Sequence, residues 1–458
     1  MIRKLYLLPL LSVALFSCAE DQDNGYEDID LSERINAGGE TTIFSTTTNS
    51  FSSPAPNLSA AETDNHFVGD LLFEASFVTA PAQVNPGLGS IYNNASCINC
   101  HPRDGRARHP TNVNSANGLL IRASLFGTDE HGGPVPVPGF GLQIQNRAVS
   151  GYVPEAAYMA SYTTQTETFA DGTTVTLRKP NIMLTDTYLP LPPGVMLSTR
   201  LGTPIFGLGL LEEIPEANIT ARQDINDSDG DGISGKANFV WNPFTHQTEL
   251  GRFGWKANTA SVIVQCAGAY VEDMGITNPI FTLESGHGQT NGGIPGATPE
   301  VDMETLEKVA LYCKTLGVPA ARNTNKPEVK NGAKLFEQLD CAKCHVPKQV
   351  TGNASVAALS NQTLYPYTDM LLHDMGEGLA DNRPDFMASG SEWKTRPLWG
   401  IGLTNLVNGH TDFLHDGRAR NIEEAILWHG GEAEKSKNKY KNLSAKQRSD
   451  LLEFINSL

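Results

Sequence analysis

The chain has 458 residues, with 34 Lys and Arg against 51 Asp and Glu for a formal net charge of −17, a balance that argues against a nucleic-acid partner. Its 40% hydrophobic and 19% charged content excludes fibrous and wholly disordered classes. The length allows roughly two to three domains, and 43 Gly with 27 Pro point to long irregular connections between few regular elements.

Arg3 and Lys4 precede an apolar stretch from Leu5 to Phe16, shorter than the ~20 residues of a membrane span, so residues 1–17 read as a signal peptide. Leu15-Phe16-Ser17-Cys18 has the form of a lipobox, although Phe16 is bulkier than the small residue usual there. The expectation is an exported protein of the periplasm or cell envelope, lipidated at Cys18 and meeting the membrane through that anchor only. An ordinary secretory cleavage nearby would leave a soluble protein instead. Residues 18–58 are rich in Asp, Glu, Asn, Ser and Thr and read as a disordered acidic tether.

Six cysteines follow. Four of them form one pattern twice, Cys97-Ile98-Asn99-Cys100-His101 and Cys341-Ala342-Lys343-Cys344-His345. At this composition a single C-x-x-C-H arises by chance on the order of 0.002 times per chain, so two copies are not accidental. Two thiols at this spacing can add to the vinyl groups of one haem while the adjacent His reaches the iron from the same turn, which predicts two covalently bound haem c groups. Zinc would require two C-x-x-C pairs close in sequence, and a thioredoxin-like dithiol would not need the following His. Cys266 and Cys313 are left over; in an oxidising compartment they pair as a disulfide or remain separate buried thiols.

The apolar spacing of residues 330–339 predicts a short helix leading into Cys341, with Leu335 and Phe336 placed to pack on a porphyrin. Residues 301–317 and 444–458 have the character of closing helices, the latter with Ser444 as N-cap. The predicted fold class is therefore mainly α, with two cytochrome c-like haem domains over 59–322 and 323–458, long loops, and a large insertion with some β structure in the first. Within that insertion, Asp171-Gly172 between alternating Thr and Val signals a β-hairpin. Residues 227–233 place Asp227, Asp229, Asp231 and the Ile233 carbonyl as candidate calcium ligands, against the alternative of an acidic turn held by Asx bonds.

The chain resembles the dihaem oxidoreductase family, also called thiol oxidoreductases after their C-x-x-C pairs, and more distantly the bacterial dihaem cytochrome c peroxidases. The strings that carry it are NPGLGSIYN (85–93), GLGLLEEIPE (207–216), DSDGDGISGKAN (227–238), GRFGWKAN (251–258), DMGIT (273–277), YPYTDMLLHDMGEGLAD (365–381), TRPLWGIGL (395–403) and FLHDGRARNIEEAILWHGG (413–431). The resemblance implies that the helix after His415-Asp416-Gly417 ends on a haem ligand. Where the peroxidases hold methionine this chain has His429, with Met375, His373 and His415 as competitors. It also implies a catalytic role for Gln145 and Glu155, with Glu212 and Glu213 competing. Arg103, Arg106 and Arg108 are candidates for haem propionates, and Trp399 is the first choice of the five tryptophans for an electron relay.

The function so implied is a peroxidase-like oxidoreductase in which the His101 haem reacts and the His345 haem relays an electron. Its partners would be a donor cytochrome and a small oxidant such as peroxide. The alternative is a non-catalytic electron-transfer lipoprotein with both irons closed, serving a membrane chain or iron uptake.

Overall fold

The computed structural model describes residues 29–110, 118–293 and 298–458; the predicted signal peptide and Cys18 lie outside them. Seven helices of seven or more residues organise the described chain: α1 (Ala60–Glu74), α2 (Val262–Met274), α3 (Met303–Thr315), α4 (Pro327–Gln338), α5 (Ile422–Trp428), α6 (Glu434–Lys441) and α7 (Ala445–Ser457). Their starts are written locally. Ser59 with Glu62 and Ser444 with Gln447 form capping boxes on α1 and α7, Asp302 and Asn421 cap α3 and α5, and Pro327 opens α4 where its missing N–H costs nothing.

The helices pair in two crossings of the same design. Where α1 meets α3, Gly69 lies against the Lys308 carbonyl and Tyr312 Cβ; where α4 meets α7, Gly332 lies against the Asp450 carbonyl and Phe454 Cβ. One turn beyond each glycine stands a phenylalanine. Phe73 is 5.3 Å from the Tyr312 ring and 6.3 Å from His101, and Phe336 is 5.4 Å from Phe454 and 6.3 Å from His345. Each helix thus uses Gly-x-x-Leu-Phe to approach its closing helix and to set an aromatic ring beside the histidine of a C-x-x-C-H motif. A methyl group at Gly332 would overlap backbone, so Gly332→Ala is expected to destabilise the fold by about 1–3 kcal/mol. Thermal unfolding checks this, and an unchanged midpoint would show that the crossing has slack.

Four strands have six or more residues: β1 (Leu119–Thr128), β2 (Ala157–Thr168), β3 (Thr174–Thr185) and β4 (Met196–Leu201). β1 pairs antiparallel with β4 from Leu119↔Leu201 to Ser124↔Met196, over a small core containing Ile121, Ala123 and Tyr158. β2 and β3 form the expected hairpin, in register from Ala157↔Thr185 to Thr168↔Thr174. Its tip reaches α6 and α7, where Phe169 packs on Tyr440, Arg448 pairs with Asp171 at 2.8 Å, and Lys441 pairs with Glu167 at 2.6 Å. No described helix is long and apolar enough to cross a membrane.

Three expectations change. Helix makes up 30% and strand 20%, in several small sheets, so the class is mixed rather than mainly α. Residues 29–58 are packed rather than a tether. Phe51 is fully buried against Phe206, Leu31 and Ala37 join cores, and Thr42–Ile43 pairs with Val318–Pro319. A few large apolar anchors in a polar stretch suffice, because each finds a ready groove. The division expected at residue 322 is crossed in both directions: the core under α1–α3 takes in Leu359, Met370 and Trp399, and the core under α4 and α7 takes in Leu31, Phe169 and Trp255.

Candidate functional site

The turn that follows α4 carries Cys341, Cys344 and His345, with the His345 N–H donating to the Cys341 carbonyl at 2.9 Å. His345 Nδ1 donates to the Tyr367 carbonyl at 3.0 Å. Across from it, the last residue after α5 is His429, whose Nδ1 donates to the Ala425 carbonyl at 2.7 Å. Both bonds fix the tautomer that leaves Nε2 as the lone-pair nitrogen. The two ring centroids are 6.5 Å apart at 47°. Two imidazole nitrogens each about 2 Å from a shared metal put ring centroids roughly this far apart. Burial, reinforced by His429, pushes the His345 pKa down to about 4, and burial also lowers that of His429, so both stay neutral as ligation requires.

The histidines face a cavity walled by Phe336, Leu339, Trp393, Leu398, Ile422 and Ile426. Three competitors for the iron also line it. His373 holds Asp369 Oδ2 at 2.8 Å with Nε2 and Glu432 Oε2 at 2.7 Å with Nδ1. Burial opposes its charge, but the bonds to Asp369, Cys344 and Glu432 carry its pKa well above the ordinary value, so both ring nitrogens are spent as donors. His415 is stacked on Trp393 at 4.0 Å and 13°, with Asp416 Oδ2 at 3.6 Å from its Nε2. Met375 packs in the wall, and among the described residues only His429 faces His345.

The same cavity wall holds two guanidiniums with no ion-pair partner among the described residues. Arg106 follows the first C-x-x-C-H motif, yet its guanidinium lies over Trp255 and Phe413, 5.6 Å from each ring, and donates to the Leu414 carbonyl at 3.3 Å. Arg396 lies over the other side of this cluster, 5.1 Å from Trp255. No ion pair engages either among the described residues. Burial, and then for Arg106 the neighbouring Arg396, lowers their pKa values to about 9 and about 10. Arg103 instead donates to the Val407 carbonyl at 3.0 Å, and Arg108 is exposed.

At the first motif Cys97–Cys100 forms a single helical turn, and His101 Nδ1 donates to the Thr203 carbonyl at 2.7 Å, the counterpart of the His345–Tyr367 bond. Cys100 Sγ accepts from Asn94 at 3.0 Å. Next to it runs a buried polar network. Gln143 donates to Asn93 at 2.9 Å and Asp273 at 2.7 Å, Gln145 donates to the Glu272 carbonyl at 3.0 Å, and the Gln145 N–H donates to Glu155 at 2.6 Å. Burial pushes the Glu155 carboxyl up to about 8 and that of Asp273 to about 6. Gln145 Oε1 and Glu155 Oε1 are buried without a hydrogen bond among the described residues.

Glu212 is occupied elsewhere: it accepts from the Val262 N–H at 2.7 Å, at the start of α2, and pairs with Lys314 at 2.5 Å. That is a structural cap, and the catalytic expectation for Glu212 gives way to it. The acidic loop also differs from expectation. Oxygens of Asp224, Asp227 and Asp229 converge, whereas Asp231 is spent on Lys343 at 2.5 Å and its other oxygen accepts the Ile233 N–H. Asx bonds to Gly232 and Ser228 account for the turn, so the set Asp227, Asp229, Asp231 and Ile233 is not the one the loop assembles. Trp399 lines the same cavity next to Gly207, as does Trp255, whose ring lies 5.6 Å from the Arg106 guanidinium and 5.1 Å from that of Arg396. Sequence reasoning missed Trp255 and Arg396, although both lie in the strings that carry the resemblance.

A family model described as "Di-haem oxidoreductase, putative peroxidase" matches residues 32–458. Among solved structures, Kuenenia stuttgartiensis hydrazine synthase pressurised with 20 bar xenon is similar over 99% of this chain and 100% of that chain, with 13% identity and a TM-score of 0.36. No curated protein matches.

Proposed function

The chain belongs to the di-haem oxidoreductase family and is a redox protein, and we propose that it is an exported c-type dihaem enzyme, peroxidase-like, with the His101 haem as reactive site and the His345 haem as electron relay. Two cytochrome c-like modules would hold them, tethered by thioethers at Cys97 and Cys100 and at Cys341 and Cys344. The observation that carries this reading is the His345–His429 pair, two neutral imidazoles facing at 6.5 Å across an apolar cavity. The cavity also fits such a group in charge. Two buried guanidiniums without carboxylates would be costly unless the occupant brings anions, as the two propionates of a haem do.

When bound, haem supplies one-electron and oxygen-atom chemistry that the side chains cannot. The chain's own part is to hold, shield and deliver protons. His345 and His429 would together hold the second haem iron, which would suit storage and relay of an electron rather than contact with substrate. Around the first site no second imidazole faces His101 among the described residues, and the Gln145–Glu155 pair provides a buried carboxyl that holds its proton at neutral pH. Arg106 follows the first motif in the chain but lines the cavity of the second, where it would neutralise a haem carboxylate. A donor cytochrome and a small oxidant such as peroxide are the partners this division of labour requires. Lipidation at Cys18 would keep the enzyme at the envelope.

Electron paramagnetic resonance tests the division. The oxidised or half-reduced protein is expected to show one low-spin and one high-spin haem, and to consume peroxide with a reduced cytochrome as donor. Two low-spin haems that bind neither cyanide nor peroxide would establish the alternative, a closed electron carrier.

A further inference from the structure

Cys266 projects from α2 and Cys313 from α3, and their Sγ atoms lie 4.0 Å apart. Cys313 is buried and Cys266 half-buried, in the core on which Cys97 also packs. Three thiols therefore share one cluster: the acidity of Cys97 is reduced by burial and then by Cys266, and that of Cys313 by Cys266, by burial and by Cys97. Only Cys97 has a place in a C-x-x-C-H motif. A disulfide needs its sulfurs about 2.05 Å apart, so side-chain rotation on two helices already in contact has little distance to cover.

We infer that Cys266 and Cys313 form a disulfide joining α2 to α3, and that this bond withholds Cys266 from Cys97, whose thiol must stay reduced. The second half rests on the proposed thioether at Cys97; the first does not. The oxidant is a protein disulfide of the thiol-exchange class found where exported proteins fold. Cys266, the more accessible thiol, attacks one oxidant sulfur as thiolate and forms a mixed disulfide. Cys313 then attacks Cys266 Sγ and displaces that sulfur. Two electrons and two protons pass to the oxidant, which leaves as a dithiol. The product ties two positions 47 residues apart in the chain, and so restricts the unfolded chain as well.

The experiment uses the full chain, exported and purified with free thiols alkylated at lysis, then proteolysed without reductant. A peptide pair joining Cys266 to Cys313, lighter than its parts by two hydrogens and split by reductant, is expected. Alkylated Cys266 and Cys313, or a Cys97–Cys266 link, would overturn the disulfide. In Cys313→Ala, a fraction of chains is expected to carry a Cys97–Cys266 link and lack haem mass at the first motif, and the Cys266→Ala/Cys313→Ala double variant is expected to regain it. Cys313→Ala protein fully loaded at the first motif would overturn the protective role. Native chains without haem would sink the reading of Cys97 alone, because the cross-linked peptide is scored independently.

Discussion

Replacing His429 with alanine is expected to convert the second haem from low-spin to high-spin while the mass of the protein still shows two thioether-bound haems. The reasoning begins with the helix. Asn421 caps α5, so that its seven residues end on Trp428 and His429 follows, where its Nδ1 donates to the Ala425 carbonyl and leaves Nε2 for His345. Removing the imidazole leaves a buried gap that neither neighbouring histidine is free to fill. His373 is locked by Asp369 and Glu432, and His415 is held flat on Trp393. His429→Met should keep the haem low-spin but raise its reduction potential, since a thioether favours the ferrous state relative to imidazole. A redox titration separates the two variants. An unchanged spectrum in His429→Ala would remove this residue from the iron, and the relay assignment of the second site with it.

How much of this was legible in the sequence depends on whether the chemistry needs neighbours in the chain or only in space. The two C-x-x-C-H motifs stood out because thiols and imidazole fall on a single turn in each. His429 came into view through the resemblance to the dihaem peroxidases, which implies a ligand at the end of the helix after His415-Asp416-Gly417. The β2–β3 hairpin announced itself through Asp171-Gly172 and alternation, and the helices α3, α4 and α7 through their caps and apolar spacing. The repeated Gly-x-x-Leu-Phe of α1 and α4 was written in the chain but hidden, because a long loop separates Phe73 from Cys97 and only a short turn separates Phe336 from Cys341. Arg396, Trp255 and Arg106 come together only through tertiary packing, and no local pattern marks a cation that lacks a carboxylate. Leu31 and Phe51 illustrate the opposite failure: polar composition outweighed single apolar anchors, yet those anchors decide where the segment lies.

Glu155→Gln is expected to lower kcat/KM for peroxide by about 10²-fold or more, the range associated with a positioned general acid or base. Glu155 is wholly buried, receives the Gln145 N–H at 2.6 Å, and has its carboxyl pushed up to about 8 chiefly by burial. At neutral pH it is a proton donor in a region where other side-chain carboxyls would be ionised. The native activity should therefore fall on the alkaline side as this proton is lost near pH 8, and the Gln variant should lose that limb of the profile. Stability gives an independent readout. Because the folded pKa lies above the ordinary 4.5, the native state holds a proton that the unfolded chain has released, so stability is fully present below about pH 4.5 and declines as pH rises towards 8. Asp273, raised to about 6 by burial, adds a decline of the same sign between its ordinary 3.8 and that value. In Glu155→Gln the first decline disappears and the second remains, which denaturant titrations between pH 4 and 9 would resolve. A variant with the stability change but with native peroxide kinetics and pH profile would make Glu155 a buried structural acid, and the proton supply would have to come from Asp273 or from solvent.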